Sequence, residues 1–250
     1  MPPLALHTAT AREIASKMRH TALEDEPGAL YLGSTAPDIR ILTRWDRRLT
    51  HFFDFANFDE QDGVQAFFAA YPELRRNDAL KPSTKAFVAG YISHLVLDES
   101  WITDIYRPFF GERSPWQGTI RATIMDRAVQ YELDRGRRED RELIEHVLAE
   151  IARMDLGLEI AFIDGETLGR WREVVSQVVG WQPDWEKFHL VIGRHVKPSG
   201  QDADDAATLL EDLPALVEET LAYVSPQRIR ACLEGAVVRG LEEIKEYLCE

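Results

Sequence analysis

Cysteine is scarce in this chain of 250 residues, and its scarcity limits how the protein can be stabilised. Only Cys232 and Cys249 occur, both close to the C-terminus. Secreted domains that depend on disulfides need several paired cysteines. A disulfide framework is therefore not expected, and the composition fits a reducing compartment such as the cytoplasm.

Long hydrophobic runs and a surplus of basic residues are missing as well. No stretch reaches the roughly 18 apolar residues of a membrane-spanning helix, and the N-terminal segment lacks the basic head and apolar core of a secretory signal. The chain has 29 Lys and Arg against 43 Asp and Glu, a net charge of −14. A large nucleic-acid footprint needs a basic face and is not expected, whereas an acidic site that holds cations is compatible with this charge.

No segment shows the sustained period-two alternation of a strand, and most of the chain has apolar residues at helical spacing. The sequence therefore predicts an all-α fold. One helix is expected over residues 119–136, ending at Gly136. Two amphipathic helices, at about 205–224 and 226–248, are expected after a linker at 197–205.

The segment 82–110 is apolar on nearly all sides and is predicted to be one long helix buried at the centre of a domain. It contains GYISHLVLDESW, in which His94 and Asp98 are spaced four apart. On a helix these two side chains lie on the same face, about 6 Å apart along the axis. Two unpaired polar groups in so apolar a helix would be costly, so both need partners.

Two interpretations of this pair stay open from the residues alone. His94 and Asp98 can bind one divalent cation, because an imidazole nitrogen with a carboxylate oxygen suits zinc and related ions. Alternatively, the histidine is hydrogen-bonded inside the core and the aspartate is paired with an arginine.

Further candidate ligands precede this helix. Asp38 lies in the turn-rich stretch 28–41, where Gly33, Ser34 and Pro37 mark a loop that delivers it, and His51 lies among aromatic residues. Together with His94 and Asp98 they would complete a site of four nitrogen and oxygen ligands. His7 would remain for a second ion.

These motifs occur in an order that resembles the zinc-dependent phospholipase C family, which is related to single-strand-specific zinc nucleases. The order is His7, then LGSTAPD (32–38), THF (50–52) and GYISHLVLD (90–98). The resemblance covers roughly residues 1 to 135. It implies a multi-helix bundle of the phospholipase C and zinc nuclease type, here with additional C-terminal helices, and one to three zinc ions in a cleft between helices.

The resemblance also implies the ligands of the ions. Asp38, His51, His94 and Asp98 match the ligands of one zinc, and Asp98 can bridge to another ion that also takes His7. At later positions, where the family has histidines, this chain offers oxygen ligands instead. Either Asp104, Asp126 and Glu132 form an oxygen-rich second site that accepts zinc or another divalent metal, or that site is lost.

The expected organisation is a metal-binding helical core over residues 1–137 and a helical C-terminal part over 138–250, packed on the same domain. The amphipathic faces of the C-terminal helices can close the cleft or pair two chains into an oligomer. No transmembrane segment is expected.

The function implied by the resemblance is that of a hydrolase of phosphoric esters, a phospholipase C-like phosphodiesterase acting on a small-molecule or lipid phosphoester. Metal-activated water attacks the phosphoryl group in such enzymes, and either Asp38 or Asp54 can accept its proton. Nearby arginines can bind phosphate or neutralise carboxylates; these are Arg40, Arg44 and Arg47.

The alternative is a degenerate, non-catalytic member of the family in which a single metal stabilises the helical core. A third class, the all-α phosphohydrolases built on an adjacent His-Asp pair, is disfavoured because the chain contains no such dipeptide.

Overall fold

The computed structural model describes residues 3–55, 57–181 and 201–249, and within them it contains helices and no strand. The α-helices are α1 (Leu4–Met18), α2 (Thr21–Asp25), α3 (Pro27–Gly33), α4 (Arg40–Thr43), α5 (Arg48–His51), α6 (Gly63–Ala70), α7 (Pro82–Trp101), α8 (Arg107–Phe109), α9 (Ile120–Arg138), α10 (Arg141–Arg153), α11 (Gly165–Val179), α12 (Gln201–Glu211), α13 (Leu213–Val224) and α14 (Pro226–Cys249). Three short 3-10 helices cover Ala36–Ile39, Pro72–Leu74 and Asn77–Ala79. The predicted all-α class is confirmed.

The centre of the fold is α7, which packs against α3 on one side and α14 on another and also contacts α1. Its residues from Ala86 to Asp98 are all buried. A π-helix, Ile102–Tyr106, continues α7 without a break into α8. The buried helix predicted over 82–110 is therefore present, with a local widening at its C-terminal end.

Several helices begin where a short polar side chain accepts a hydrogen bond from the backbone N–H three residues later, which satisfies one of the unpaired donors of the first turn. These N-caps are Asp62, Thr119, Asp140, Asp164 and Asp212, with distances of 2.8 to 3.2 Å.

A buried carboxylate from α9 anchors the first turn of α1. Asp134 Oδ1 accepts a hydrogen bond from the backbone N–H of Leu6 at 3.1 Å, and Asp134 Oδ2 accepts one from Arg138 Nε at 2.6 Å. The same arginine donates through Nη1 to the carbonyl of Val178 at 2.6 Å, in the last turn of α11. The N-terminal end of α1 thus receives a negative charge and the C-terminal end of α11 a positive charge, as the helix dipoles favour. The contact with Asp134 fixes α1, which carries His7, in place.

Helices α3 and α7 approach so closely that their backbones touch. A Cβ atom added to Gly90 would lie 2.0 Å from the carbonyl oxygen of Leu30, and one added to Gly33 would lie 2.0 Å from that of Phe87. Only glycine fits at these two positions. This contact brings the C-terminal end of α3 directly against the polar part of α7.

The structure corrects two boundaries predicted in the first half of the chain. The first part of the turn-rich stretch 28–41 is helical, since α3 covers Pro27–Gly33 and begins at Pro27, where proline is well tolerated. The loop expected to deliver Asp38 is a short turn followed by the 3-10 helix Ala36–Ile39. Helix α9 does not end at Gly136 but continues to Arg138, because the ion pair of Arg138 with Asp134 extends the helix by another half turn.

Two corrections concern the C-terminal region. The helix predicted over 205–224 is two helices, α12 and α13, which separate at Asp212, the N-cap of α13. Of the linker predicted at 197–205, residues 201–205 belong to α12, and 197–200 lie outside the described residues. The helix predicted at 226–248 is confirmed as α14.

The C-terminal helix shares the core of the N-terminal half. Val237, Ile244 and Tyr247 belong to the same buried cluster as Phe87. The cysteines of the described residues are free thiols, one buried and one exposed. No helix in this part of the chain combines the length and apolarity needed to cross a membrane. The division at residue 137 stays a prediction.

We expect Gly90→Ala to destabilise the fold by about 1–3 kcal/mol or more, because the added methyl group collides with backbone rather than with a movable side chain. Gly235→Ala is the matched control, since Gly235 lies in α14 with nothing within 4 Å of an added Cβ. That control is expected to stabilise by about 0.5–1 kcal/mol. Urea unfolding followed by far-UV circular dichroism measures both, and equal midpoints for the two variants would contradict the close packing of α3 on α7.

Candidate metal centre

Five buried side chains that are typical metal ligands meet at one place beside α7. His7 comes from α1, Asp38 from the 3-10 helix Ala36–Ile39 and His51 from the end of α5, while His94 and Asp98 come from α7 itself. The three histidines are at most 2 % exposed. Residues from distant parts of the sequence thus form one histidine and carboxylate cluster.

The distances within this cluster fit the edges of a tetrahedron around a cation. His51 Nε2 lies 3.5 Å from Asp38 Oδ1 and 3.4 Å from Asp98 Oδ2, and His94 Nε2 lies 3.7 Å from Asp98 Oδ2. Ligands bound at about 2.0–2.1 Å in a tetrahedral zinc site are about 3.3–3.4 Å apart. The same separations are too long for strong hydrogen bonds between the groups.

Five buried atoms of the cluster have no hydrogen-bond partner among the described residues. They are His7 Nδ1, His7 Nε2, His51 Nε2, His94 Nε2 and Asp98 Oδ1. Buried polar atoms are rarely left unsatisfied, because each loses its water without compensation. A divalent cation bound among them would satisfy the nitrogen and oxygen atoms that face it, so the donor set fits a metal ion.

Backbone and hydroxyl groups orient two of the imidazole rings. His94 Nδ1 lies 2.7 Å from the carbonyl oxygen of Ser34, which can only accept, so Nδ1 carries a proton and Nε2 faces the cluster. His51 Nδ1 lies 2.8 Å from Thr50 Oγ1, whose own proton is donated to the carbonyl of Arg47. Outer contacts of this kind fix the tautomer and the direction of metal-ligating histidines.

The backbone after His51 is in a conformation that side chains seldom adopt. Phe52 has φ 53°, in the left-handed region. The hydroxyl of Tyr91 on α7 donates to the carbonyl of Thr50 at 2.5 Å and ties this turn to the central helix. Such strain at a non-glycine residue persists only where surrounding contacts enforce it, and here it ends α5 immediately after His51.

His7 reaches the cluster from the other side of His94. The two rings are stacked, with centroids 3.7 Å apart and planes 5° from parallel, and His7 Nε2 lies 3.5 Å from Asp98 Oδ1. Two groups of three ligand side chains result, one of His7, His94 and Asp98 and one of Asp38, His51 and His94. Both groups contain His94.

The charges of the cluster are set by burial and by the contacts among its members. Burial raises the pKa of Asp38, but the neighbouring His51 and His94 outweigh it and lower the pKa to about 2. Burial lowers the pKa of His51 to about 4. Burial would also lower the pKa of His94, yet the adjacent carboxylate of Asp98 raises it above its ordinary value. Neighbouring histidines also lower the pKa of Asp98 against the effect of burial, so both carboxylates are ionised, and their negative charge favours the protonated form of His94.

Arg47 is the cationic neighbour of this cluster. Its Nη2 donates to Asp98 Oδ2 at 2.9 Å, its Nη1 donates to the carbonyl of Phe53 at 3.1 Å, and its guanidinium lies 4.5 Å from the ring centroid of Phe55. The arginine pairing considered for Asp98 from the sequence is thus present, together with the histidines and not instead of them.

Other predicted site residues are not brought into either three-ligand group among the described residues. Asp104 is exposed on the π-helix, where its Oδ1 accepts a hydrogen bond from Thr103 at 3.2 Å. Asp126 is buried and accepts a hydrogen bond from the indole N–H of Trp101 at 3.0 Å. Asp54 is partly buried, and its backbone N–H donates to Gln61 at 2.8 Å.

Sequence reasoning missed the groups that aim the rings, Ser34 and Thr50. Thr50 directly precedes His51, so its position was visible in the THF motif. The carbonyl of Ser34 acts irrespective of its side chain, so no residue type could have indicated it.

The fold is all-α, and the cluster is a buried group of histidines and carboxylates of the kind that binds metal ions. These two features define the class of protein that the chain resembles. Residues 6–101 match the model of the family described as zinc dependent phospholipase C. This match confirms the predicted resemblance over these residues, and it ends at the last residue of α7. Comparisons with curated proteins and with solved structures gave no match.

We expect His94→Ala to lower zinc affinity by about 100-fold or more, because loss of an outer-shell contact alone costs about 10–100-fold. Metal content after gel filtration, measured by atomic emission, tests this. His146→Ala is the control, since His146 lies on α10 with its side chain 41 % exposed and pairs only loosely with Glu150. Equal zinc content in both variants would show that the cluster is not the metal centre.

Proposed function

We propose that the chain is a metal-dependent hydrolase of phosphoric esters, with zinc held by Asp38, His51, His94 and Asp98. The observation that carries the proposal is the convergence of buried imidazole nitrogens on two ionised carboxylates at 3.4 to 3.7 Å. The match of residues 6–101 to zinc dependent phospholipase C supports the choice of ion and of reaction class.

A bound zinc ion would supply a Lewis acid that polarises a phosphoryl oxygen and makes water a competent nucleophile near neutral pH. The chain itself orients the ligands through Ser34 and Thr50, as described above. The side chains of Asp38 and Arg47 are the most exposed parts of the centre, at 12 and 14 %, against 3 % for Asp98. A phosphoester would therefore approach past these two residues.

Within this proposal Asp38 and Asp54 have separate roles. Asp38 contacts His51 and acts as a ligand, while Asp54 accepts the proton of the attacking water. The position of Asp54 supports this role. It directly follows Phe53, whose carbonyl accepts a hydrogen bond from Arg47 beside the centre. A general base of this kind typically contributes about 100- to 10,000-fold to the rate.

We expect Asp38→Asn to lose zinc and activity together, whereas Asp54→Asn keeps its zinc and loses at least about 100-fold in kcat. The assay is hydrolysis of bis(p-nitrophenyl) phosphate with and without a chelator, beside metal analysis of each variant. Turnover that is indifferent to the chelator would refute the proposed function. Full activity of Asp54→Asn with zinc present would refute only the role of Asp54.

A lipid phosphoester is the finer substrate that we propose. Two large apolar side chains close to ligands in the sequence are exposed: Ile41, three residues after Asp38, at 56 %, and Leu49, two residues before His51, at 62 %. A contiguous exposed apolar patch marks a site of contact with membranes or proteins, and we propose that Ile41 and Leu49 belong to one beside the centre. Inserted between lipid headgroups, they would bring the phosphoester to the centre.

We expect the double variant Ile41→Glu with Leu49→Glu to hydrolyse phosphatidylcholine vesicles about tenfold more slowly, which corresponds to a loss of about 1.4 kcal/mol in interfacial binding. Its rate on soluble bis(p-nitrophenyl) phosphate should stay unchanged. Val238→Glu is the matched control, since Val238 on α14 is 53 % exposed but distant in sequence from the ligands. Equal losses on both substrates would argue against a lipid surface.

A second candidate function is that the metal only stabilises the fold and the protein has no catalytic activity. Two features of the centre favour it. The histidines are almost fully buried, and Arg47 occupies one oxygen of Asp98. Zinc would then raise the melting temperature by mass action, with no turnover of either phosphoester. Thermal melts with and without zinc, beside the two assays, separate this function from the first.

A further inference from the structure

The number of ions that the centre can hold follows from the lone pairs of His94. Its Nδ1 is bonded to the carbonyl of Ser34, so only Nε2 can bind a metal. One nitrogen lone pair serves one ion. The two ligand groups that share His94 therefore cannot both use it, and one of them must lose a ligand.

The group around Asp38 retains the better set. Asp38, His51 and His94 form one of the three-ligand groups, and Asp98 Oδ2 lies 3.4 Å from His51 Nε2 and 3.7 Å from His94 Nε2, so it can serve as the fourth ligand of this ion. These separations and the 3.5 Å between His51 Nε2 and Asp38 Oδ1 are close to the edge length of a tetrahedral zinc site. The other group then has only His7 Nε2 and Asp98 Oδ1, 3.5 Å apart. Two ligands are fewer than the three or four protein ligands that zinc sites ordinarily have, so this group binds an ion weakly and the charge beside it decides whether an ion is held.

The positive charge of Arg47 makes the binding of a second cation unfavourable. The two carboxylates carry two negative charges and the guanidinium carries one positive charge, so with neutral histidines the centre has one negative charge in excess. One divalent ion changes this to one positive charge, and a second would change it to three. The guanidinium lies 2.9 Å from the carboxylate that a second ion would share, and repulsion is strong where water is scarce.

We propose that this chain binds one divalent ion, at Asp38, His51, His94 and Asp98, and that the guanidinium of Arg47 takes the place of a second cation beside Asp98. The inference rests on the metal centre of the proposed function and adds its stoichiometry. Arg47 acts here as a fixed charge held by Asp98, by the carbonyl of Phe53 and by the ring of Phe55.

The test is the number of zinc equivalents per chain, measured by atomic emission after gel filtration from a zinc-containing buffer. The wild-type chain and His7→Ala should each bind one equivalent. Arg47→Met keeps an unbranched apolar stem and removes the charged guanidinium, and this variant should bind two equivalents. The double variant Arg47→Met with His7→Ala should again bind one equivalent of zinc, because His7 is the remaining nitrogen ligand of the second group.

Arg47→Lys and Arg44→Met are the controls. The lysine keeps a positive charge, and Arg44 is exposed on the same segment, so both variants should stay at one equivalent. Circular dichroism confirms that each variant is folded.

Each other outcome has a defined meaning. Two equivalents in the wild-type chain, one of them lost in His7→Ala, would overturn the single-ion inference and leave the proposed function standing. One equivalent in folded Arg47→Met would overturn the role of Arg47. No bound zinc in the wild-type chain would remove the metal centre and the proposed function with it. The wild-type and His7→Ala measurements decide the stoichiometry even if the Arg47 variants do not fold.

Discussion

The hydrogen bond between His94 Nδ1 and the carbonyl of Ser34 is the contact on which the centre depends. It forms because Gly33 and Gly90 let α3 and α7 touch along their backbones, so that the end of α3 reaches the buried middle of α7. A carbonyl oxygen only accepts hydrogen bonds, so the ring has one possible orientation. Helix packing thus determines which nitrogen faces Asp98, and with it the direction in which a cation can be bound.

Two buried carboxylates are expensive unless positive charge accompanies them. Here the guanidinium of Arg47 supplies such charge beside Asp98, and His94 can supply more, either by taking up a proton or by binding a divalent ion. The proton and the ion compete for the same nitrogen, because a ligating imidazole must be neutral. The raised pKa of His94, caused by Asp98 against the opposing effect of burial, reflects the demand for charge at that point.

The parts of the protein that sequence could predict are those set by local pattern. The all-apolar surroundings of His94 and Asp98 indicated a central buried helix, and spacing by four placed both on one face. The order of the motifs identified Asp38, His51 and His7 as their neighbours. The glycine contact at Gly90, the carbonyl of Ser34 and the anchoring of α1 by Asp134 depend on segments that meet only after folding, and no local pattern encodes such a meeting.

The residues downstream of α7 show that a residue at the sequence position expected for a metal ligand need not lie near the cluster. Asp104 follows Asp98 by six residues, but it lies on the π-helix that continues α7 and is exposed. The next residue, Ile105, is buried in the apolar cluster around Trp101. Asp126 is buried but accepts the indole N–H of that tryptophan. Among the described residues, Ile105 and Asp126 are thus engaged in hydrophobic packing and in a hydrogen bond to Trp101, outside both three-ligand groups.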